Sequence, residues 1–419
     1  MEPEPAAAGG NAEVGLVADG TAWTAPEVRA KGRKLLFVVN GSRGDVQPVG
    51  ALGMALQASG FVVRLLTNVN HVELLRSLGL DAIGVRSDSE ALLRDDPAVR
   101  ELVAKGDAKA FAKKGVEWVK QRFPEDLRKL LKETKEFQPD AILCGQLDGF
   151  EARIIGHSMA IPVIGVLYAI GYPSRDFQTS VMHRPACVPF QTIVTIIFHH
   201  VWSMNYSSKA SELERQLPEG KEFIAQSKRE FMLQVFHPCS PVLAGFSPSL
   251  ISMAEDWSED MKARMHITGF WTIPKEMQER KLDQGDSQFG GDDRARLEEF
   301  LARGEAPVYM GWGSMVAVSP EHMAHLAVGA LARAKLRGVV LGGYARLEPS
   351  LLQGQKDSGA LAAYAQMNVL FVRTAAHEWL FPQCAAIVHH GGSGTCAASI
   401  RSGVPSVVTP CAFDQFDNA

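Results

Sequence analysis

Cysteine is scarce, with six in 419 residues; the closest pair, Cys384 and Cys396, is twelve apart, and no Cys-x-x-Cys occurs. That excludes a disulfide scaffold, argues against a zinc or dithiol pair, and fits a reducing cytosol. No Asp-x-Asp and no Gly-Lys-Ser/Thr occurs. A metal-bridging acidic pair and a Walker-type phosphate loop are therefore not expected. Charge of one sign is lacking as well. Lys and Arg total 43 against 47 Asp and Glu, which gives no reason to expect nucleic acid as a partner. The longest strongly apolar run, Val188–Phe198, falls well short of the ~20 residues a bilayer span needs. Residues 1–33 lack a basic segment followed by an apolar one, so they read as a disordered leader and not as a secretory signal. The expectation is a cytoplasmic protein, peripheral at membranes at most.

What is present is an ordinary globular composition, 46% apolar and 21% charged, long enough for two domains of about 200 residues. Short β-branched and aromatic runs alternate with helical spacing, the pattern of a doubly wound parallel sheet. Leu35–Val39 is a strand stopped by Asn40-Gly41. Val46–Ser59 is a helix closed by Gly60, Phe61–Leu66 a strand, and His71–Leu78 a helix closed by Gly79. After a charged helical region at 89–136 come Asp140–Leu143, Phe150–Met159 and Pro162–Leu167. Residues 174–235, with aromatics and histidines, suit a substrate-facing insertion. Strand-like pieces return at Val242–Phe246 and Met265–Gly269, and polar residues 274–304 read as a linker. A second series follows: Val308–Met310, a helix at 321–336, Gly338–Leu341, Asn368–Val372, Ala386–Val388 and Ser406–Val408. The expected domains are 34–273 and 305–419.

Ligands of open α/β sheets bind beyond the strand C-termini. Four loops lie there: Gly41–Asp45, Gly311–Ser314, His389–Thr395 and Pro410–Gln415. The third has two histidines and three glycines ahead of a helix entering at Thr395. Glycines admit a close ligand, and a helix N-terminus presents N–H groups to an anion. The plainer alternative is a tight turn with a buried histidine; the paired histidines tilt the reading toward phosphate. Gly311-Trp-Gly-Ser314 lacks the third glycine of a dinucleotide fingerprint, since Val316 stands there. Ser314 also reads as a cap or turn residue. Asp45 sits at the helix start, where an N-cap is the commoner role, and Arg43 is a solvated side chain unless phosphates lie near.

Together these segments resemble UDP-sugar-dependent glycosyltransferases of the GT-B fold, most closely the sterol 3-beta-glucosyltransferases, with an N-terminal half of the glycosyltransferase family 28 type. The resemblance rests on Gly41-Ser-Arg-Gly-Asp-Val-Gln-Pro48, Val308–Met315, His389–Thr395, Gly403-Val-Pro405 with Asp414-Gln415, and Thr268-Gly-Phe-Trp271. It implies two Rossmann-like domains facing a cleft, the C-terminal one incomplete because such proteins continue beyond the position of Ala419. It implies Asp45 as general base. For the donor it implies His390, Ser393, Gly394 and Thr395 at the diphosphate, with Ser314 near the phosphates. Asp414 and Gln415 fall to the sugar hydroxyls, Ala375 and His377 to the uracil loop, and Ser42 and Arg43 to the same cleft. The implied reaction is inverting transfer of glucose from UDP-glucose to a sterol or similar lipid alcohol, with no cofactor and no metal. The alternatives are a glycosyltransferase for another natural product, or a non-catalytic nucleotide-sugar or lipid-binding relative.

Overall fold

The computed structural model describes residues 31–91, 95–104, 108–168, 209–224, 241–353 and 358–411, with 15–16, 22–23, 415, 418 and 419. Asp414, Val188–Phe198 and most of the expected acceptor-facing stretch 174–235 lie outside the described residues. Within the expected leader, two-residue strands β1 (Gly15–Leu16) and β2 (Ala22–Trp23) pair antiparallel.

The N-terminal half is a seven-stranded parallel sheet. Its strands are β3 (Lys34–Val38), β4 (Val62–Asn68), β5 (Asp81–Arg86), β6 (Ala141–Gly145), β7 (Val163–Leu167), β8 (Val242–Ala244) and β9 (Met265–Ile267), in the order β5-β4-β3-β6-β7-β8-β9. Alternation along β3 explains why it is central. Leu35 and Phe37 face one apolar layer, and Leu36 and Val38 face the other. The first layer holds the helices Arg43–Ala58 and Val72–Ser77; the second holds the long helix Ala108–Phe137 through Phe123, Leu127, Leu130 and Leu131. The sequence pattern passed over β5, whose six residues include Gly84 and the charged ends Asp81 and Arg86.

The C-terminal half repeats the plan with β10 (Val308–Gly311), β11 (Gly338–Leu341), β12 (Val369–Val372), β13 (Ala386–His389) and β14 (Ser406–Val408), ordered β12-β11-β10-β13-β14 and all parallel. In both sheets the order reverses direction beside the first strand. That places switch points between β3 and β6 and between β10 and β13, where loops after neighbouring strands diverge and open a crevice.

The polar linker is mostly helical. Lys275–Asp283 and Arg294–Ala302 are α-helices, joined by the turns Ser287–Phe289 and Gly291–Asp293. Its apolar residues do the joining. Ile273, Leu282 and Phe289 are buried in the same cluster as Phe37 and Val49 of the N-terminal half and Ala376 of the C-terminal half. On the other side, the Thr374 hydroxyl donates to the Ser287 carbonyl at 2.5 Å, and the Arg373 amide donates to Asp293 Oδ2 at 3.0 Å. Truncating Phe289 to Ala should cost roughly 3–5 kcal/mol. Because that ring belongs to the joint, calorimetry should resolve two transitions in place of one; a single cooperative transition would show that the halves are held together elsewhere.

Candidate functional site

The loop after β3 is built around a capping box. Ser42, not Asp45, is the N-cap of helix Arg43–Ala58: its Oγ accepts from the Gly44 amide at 3.2 Å. Asp45 stands three residues on, and its Oδ2 accepts from the Ser42 amide at 2.7 Å and the Ser42 hydroxyl at 3.0 Å. This corrects both the expected helix start at Val46 and the N-cap role for Asp45. It also moves Pro48 into the second turn; the carbonyl that its missing N–H would have engaged belongs to Gly44, which is exposed to water. Gly41 (φ +141°) needs to be glycine twice over, since a side chain there would overlap the Asp45 carboxylate.

Arg43 turns toward the linker. Its Nη2 donates to the Gln288 carbonyl at 2.9 Å, its Nε donates to Gln47 Oε1 at 2.9 Å, and the guanidinium lies 5.9 Å from the Phe289 ring centre. Burial lowers its pKa from the ordinary arginine value, and Tyr344, Asp286 and Tyr309 oppose the shift. Arg43 is thus a half-buried cation between the two halves.

Opposite, the loop after β13 passes His389 and His390 into helix Ser393–Ser402, which begins two residues before the expected Thr395. His389 Nδ1 accepts from the Gly391 amide at 3.1 Å, so this nitrogen carries no proton. His390 is buried beside the Gly311 carbonyl, and its Nδ1 has no hydrogen-bond partner among the described residues. Burial pushes its pKa down to about 4, so the imidazole is neutral at pH 7. Gly313 (φ +55°) makes room for the ring: a Cβ there would stand 2.8 Å from His390 Cε1. The helix has Gly392 as N-cap with no side-chain cap bond among the described residues, and a Cβ at Gly394 would meet none of them within 4 Å beyond its own helix and chain neighbours. The helix N-terminus carries about half a positive charge.

The structure brings these loops together. Helices Arg43–Ala58 and Ser393–Ser402 approach each other, and the Ser393 hydroxyl donates to the Tyr168 carbonyl of the N-terminal half at 3.2 Å. Ser314 and Thr395 are half-buried on the C-terminal side, Ser314 in the turn after β10. Gln415 is buried, its Oε1 accepting from the Cys411 amide at 2.9 Å. Ala375 lies in the loop stapled to the linker. The His377 side chain goes elsewhere. Its Nε2 is 3.0 Å from the Tyr309 hydroxyl, and its ring stacks on Phe381 at 4.5 Å. Desolvation drops its pKa to about 3. The half-buried His377 imidazole is thus engaged with Tyr309 and Phe381.

Sequence reasoning missed the polar residues behind Asp45. Asn68 Nδ2 donates to Asn40 Oδ1 at 2.9 Å, and Asn68 Oδ1 accepts from the Gly41 amide at 3.0 Å. His71 Nε2 meets the Gly41 carbonyl at 3.2 Å, and burial lowers its pKa to about 4. Asp148, after β6, accepts from the Asn40 amide at 2.6 Å. The switch-point rule would have pointed at Asp148, because β6 adjoins β3. On the C-terminal side, Asn418 Nδ2 donates to the Gly391 carbonyl at 2.8 Å.

Two doubly wound halves with a cleft between their switch points, joined by a helical linker, define the GT-B class of fold. Comparison with known proteins gives the kinship. Residues 355–419 match the family model described as erythromycin biosynthesis protein CIII-like, C-terminal domain. The chain is 25% identical over 392 residues to the sterol 3-beta-glucosyltransferase UGT80A2 of Arabidopsis thaliana, a match covering 91% of this chain and 55% of that protein. It is 28% identical over 400 residues to the O-mycaminosyltylonolide 6-deoxyallosyltransferase of Streptomyces fradiae, covering 91% of this chain and 81% of that protein. The chain thus spans only about half the length of the plant relative. A UDP-glucosyltransferase from Polygonum tinctorium capable of glucosylating indoxyl superposes with a TM-score of 0.54 at 13% identity, over 94% of this chain and 83% of that one. The likeness in structure is one of fold.

The buried His71 and His390 and the half-buried His377 have depressed native pKa values. As pH falls, the unfolded chain takes up their protons from about 6.5, while the native state does not until about 4 or below. Stability present at neutral pH should therefore be lost progressively below about pH 6.5, by roughly 1–2 kcal/mol per histidine at pH 5. Melting temperatures at pH 7, 6 and 5 check this; a flat profile would mean that these imidazoles reach solvent.

Proposed function

We propose that the protein is an inverting glycosyltransferase that moves glucose from UDP-glucose to the hydroxyl of a sterol or similar lipid alcohol. The observation that carries this reading is the pair of loops meeting across one cleft, Asp45 in the first turn after β3 and His390 with the turn at Gly394 after β13. Sugar transfer needs a base for the acceptor proton and a site for the charge growing on the leaving diphosphate. Asp45 is the base. An ordinary aspartate, with a pKa near ~3.9, removes an alcohol proton only in concert with departure of the diphosphate. The diphosphate lies at the N-terminus of helix Ser393–Ser402, against Ser393, Gly394 and Thr395, with Ser314 near the phosphates and Ser42 in the same cleft. The unpartnered Nδ1 of His390 supports the placement, because a buried polar atom left unpaired costs about 1–3 kcal/mol and a ligand relieves it. His390 acts as a neutral donor, and the positive charge comes from Arg43 and the helix. The uracil rests on the loop at Ala375 and the backbone of His377; the sugar hydroxyls fall to Asp414 and Gln415. No metal or cofactor enters this account. One displacement inverts the anomeric centre, so an α-linked donor yields a β-glycoside.

A second reading keeps the donor chemistry and changes the acceptor to a non-sterol natural product. The Streptomyces relative favours it, since that match is of higher identity and takes in more of the relative's length. Transfer assays with UDP-glucose and either a sterol in liposomes or a hydrophilic aglycone separate the two. Sterol transfer with liposome association supports the first reading, including peripheral membrane contact.

The donor assignment predicts that His390→Ala weakens UDP binding about 10- to 100-fold in calorimetry, one donor to a charged phosphate being worth roughly 1.5–3 kcal/mol. Unchanged affinity would remove His390 from the donor site. For the base, Asp45→Asn keeps an acceptor for the Ser42 amide and gives up only the charge at the helix start, about 0.3–1 kcal/mol. Folding and UDP affinity should survive while transfer falls by ~10²–10⁴. Transfer near the wild-type rate would leave Asp45 as a capping residue alone.

A further inference from the structure

Behind the Asp45 loop lie four buried charges. Arg86 Nη2 donates to Asp148 Oδ1 at 2.8 Å and to Glu151 Oε1 at 2.7 Å; Lys209 Nζ donates to both Glu151 oxygens at 2.9 and 3.1 Å. Each of the four side chains is almost fully buried. The Phe123 ring lies near both cations, 6.0 Å from Arg86 and 5.2 Å from Lys209. Two positive and two negative groups make a neutral set, the condition under which buried ions are tolerable. The second Asp148 oxygen is turned outward, to the Asn40 amide at 2.6 Å. From there the chain runs through Gly41, held by Asn68 and His71, into the Ser42–Asp45 capping box.

We propose that the Arg86–Asp148–Glu151–Lys209 cluster is a positioning device for Asp45, setting the Asn40–Gly41 peptide through the Asp148 carboxylate. The catalytic part of this inference rests on the functional reading above. Arg86 is shared between two carboxylates. Lys209 satisfies Glu151, and this leaves Arg86 to hold Asp148 in place. Burial and the Glu151 carboxylate raise the Asp148 pKa above the usual range although Arg86 and Lys209 oppose them; burial would raise the Glu151 pKa too, but Lys209 and Arg86 pull it below the usual range. Asp148 is therefore the weaker anion of the pair. Without Lys209, Arg86 is drawn to Glu151, and Asp148 protonates or shifts. Either change loosens the Asn40 amide and with it the Asp45 carboxylate. With Glu151 also neutral, Arg86 and Asp148 again form a balanced pair.

The test compares Lys209→Met with the double variant Glu151→Gln Lys209→Met in the full chain. Amide exchange over residues 39–46, transfer rate and UDP affinity are read together. The expected result for Lys209→Met is exchange faster by about tenfold or more and kcat lower by about 10- to 100-fold, with UDP affinity within about twofold. The double variant should bring exchange and kcat back to within about threefold of wild type, the non-additivity expected of one network. Equal losses in the single and double variants, unchanged exchange at 39–46, or a parallel fall in UDP affinity would overturn the proposal, leaving the cluster as a rivet for the fold. If Lys209→Met does not fold, Asp148→Asn serves, since it keeps an acceptor for Asn40 but no charge for Arg86. The same rise in exchange and loss of kcat is then expected, and their absence overturns the inference. If the wild type transfers no sugar, the functional reading fails, and the exchange comparison alone decides whether the cluster sets the loop.

Discussion

The cleft depends on one contact, the packing of residues 273–293 between the two sheets. A parallel sheet offers its ligand site at loops, and loops alone do not fix the distance between two domains. Here the linker supplies both an apolar wedge and polar staples. Phe289 and Leu282 bury against the first sheet's helices, Gln288 receives Arg43, Ser287 receives Thr374, and Asp293 receives the Arg373 amide. The loop at Ala375 and the loop at Asp45 are therefore referenced to the same short segment. Gly290 belongs to that geometry: it has φ +85°, and a Cβ there would stand 2.6 Å from the Thr374 carbonyl.

The two walls of the cleft carry different electrostatics. On the C-terminal side the histidines are neutral at physiological pH because burial penalises the imidazolium. The positive potential there comes from the backbone N–H groups at the start of helix Ser393–Ser402. On the N-terminal side the cation Arg43 and the carboxylate of Asp45 share one helix start. Asp45 is pinned by its own helix start, and Asp148 by a buried counter-ion. A capping box is thus more than local stabilisation at this position, since it orients the carboxylate that faces the cleft.

Much of the fold was legible from pattern. The runs Leu35–Val39, Val308–Met310 and Ala386–Val388 are β-branched or apolar because both faces of each strand are covered, and the structure places strands at all three. Legibility failed where local signals conflicted. Asp81–Arg86 carries charge at both ends and a glycine within, so its pairing with β4 decided it. The polar 274–304 stretch is helical because a few spaced apolar residues, Leu282 and Leu297 among them, found cores to enter. The helix at Arg43 begins earlier than Pro48 suggested, because the capping box lies upstream of it.

By itself the sequence determined the two doubly wound halves and the glycine-rich turns at their strand ends, whereas the pairing of Asp45 with His390 came from the resemblance alone. The halves and turns follow from periodicity and from motifs a few residues long, which each segment carries alone. Only the tertiary structure decided which way the side chains turn. The His377 imidazole is fixed by the Tyr309 hydroxyl, far off in sequence, and by the Phe381 ring one helical turn on. Arg86, Asp148, Glu151 and Lys209 became one cluster because four elements converge behind a single loop. Burial, and with it the charge state of each imidazole and carboxylate, is a property of neighbours that folding brings together across up to hundreds of residues, and no local window contains it.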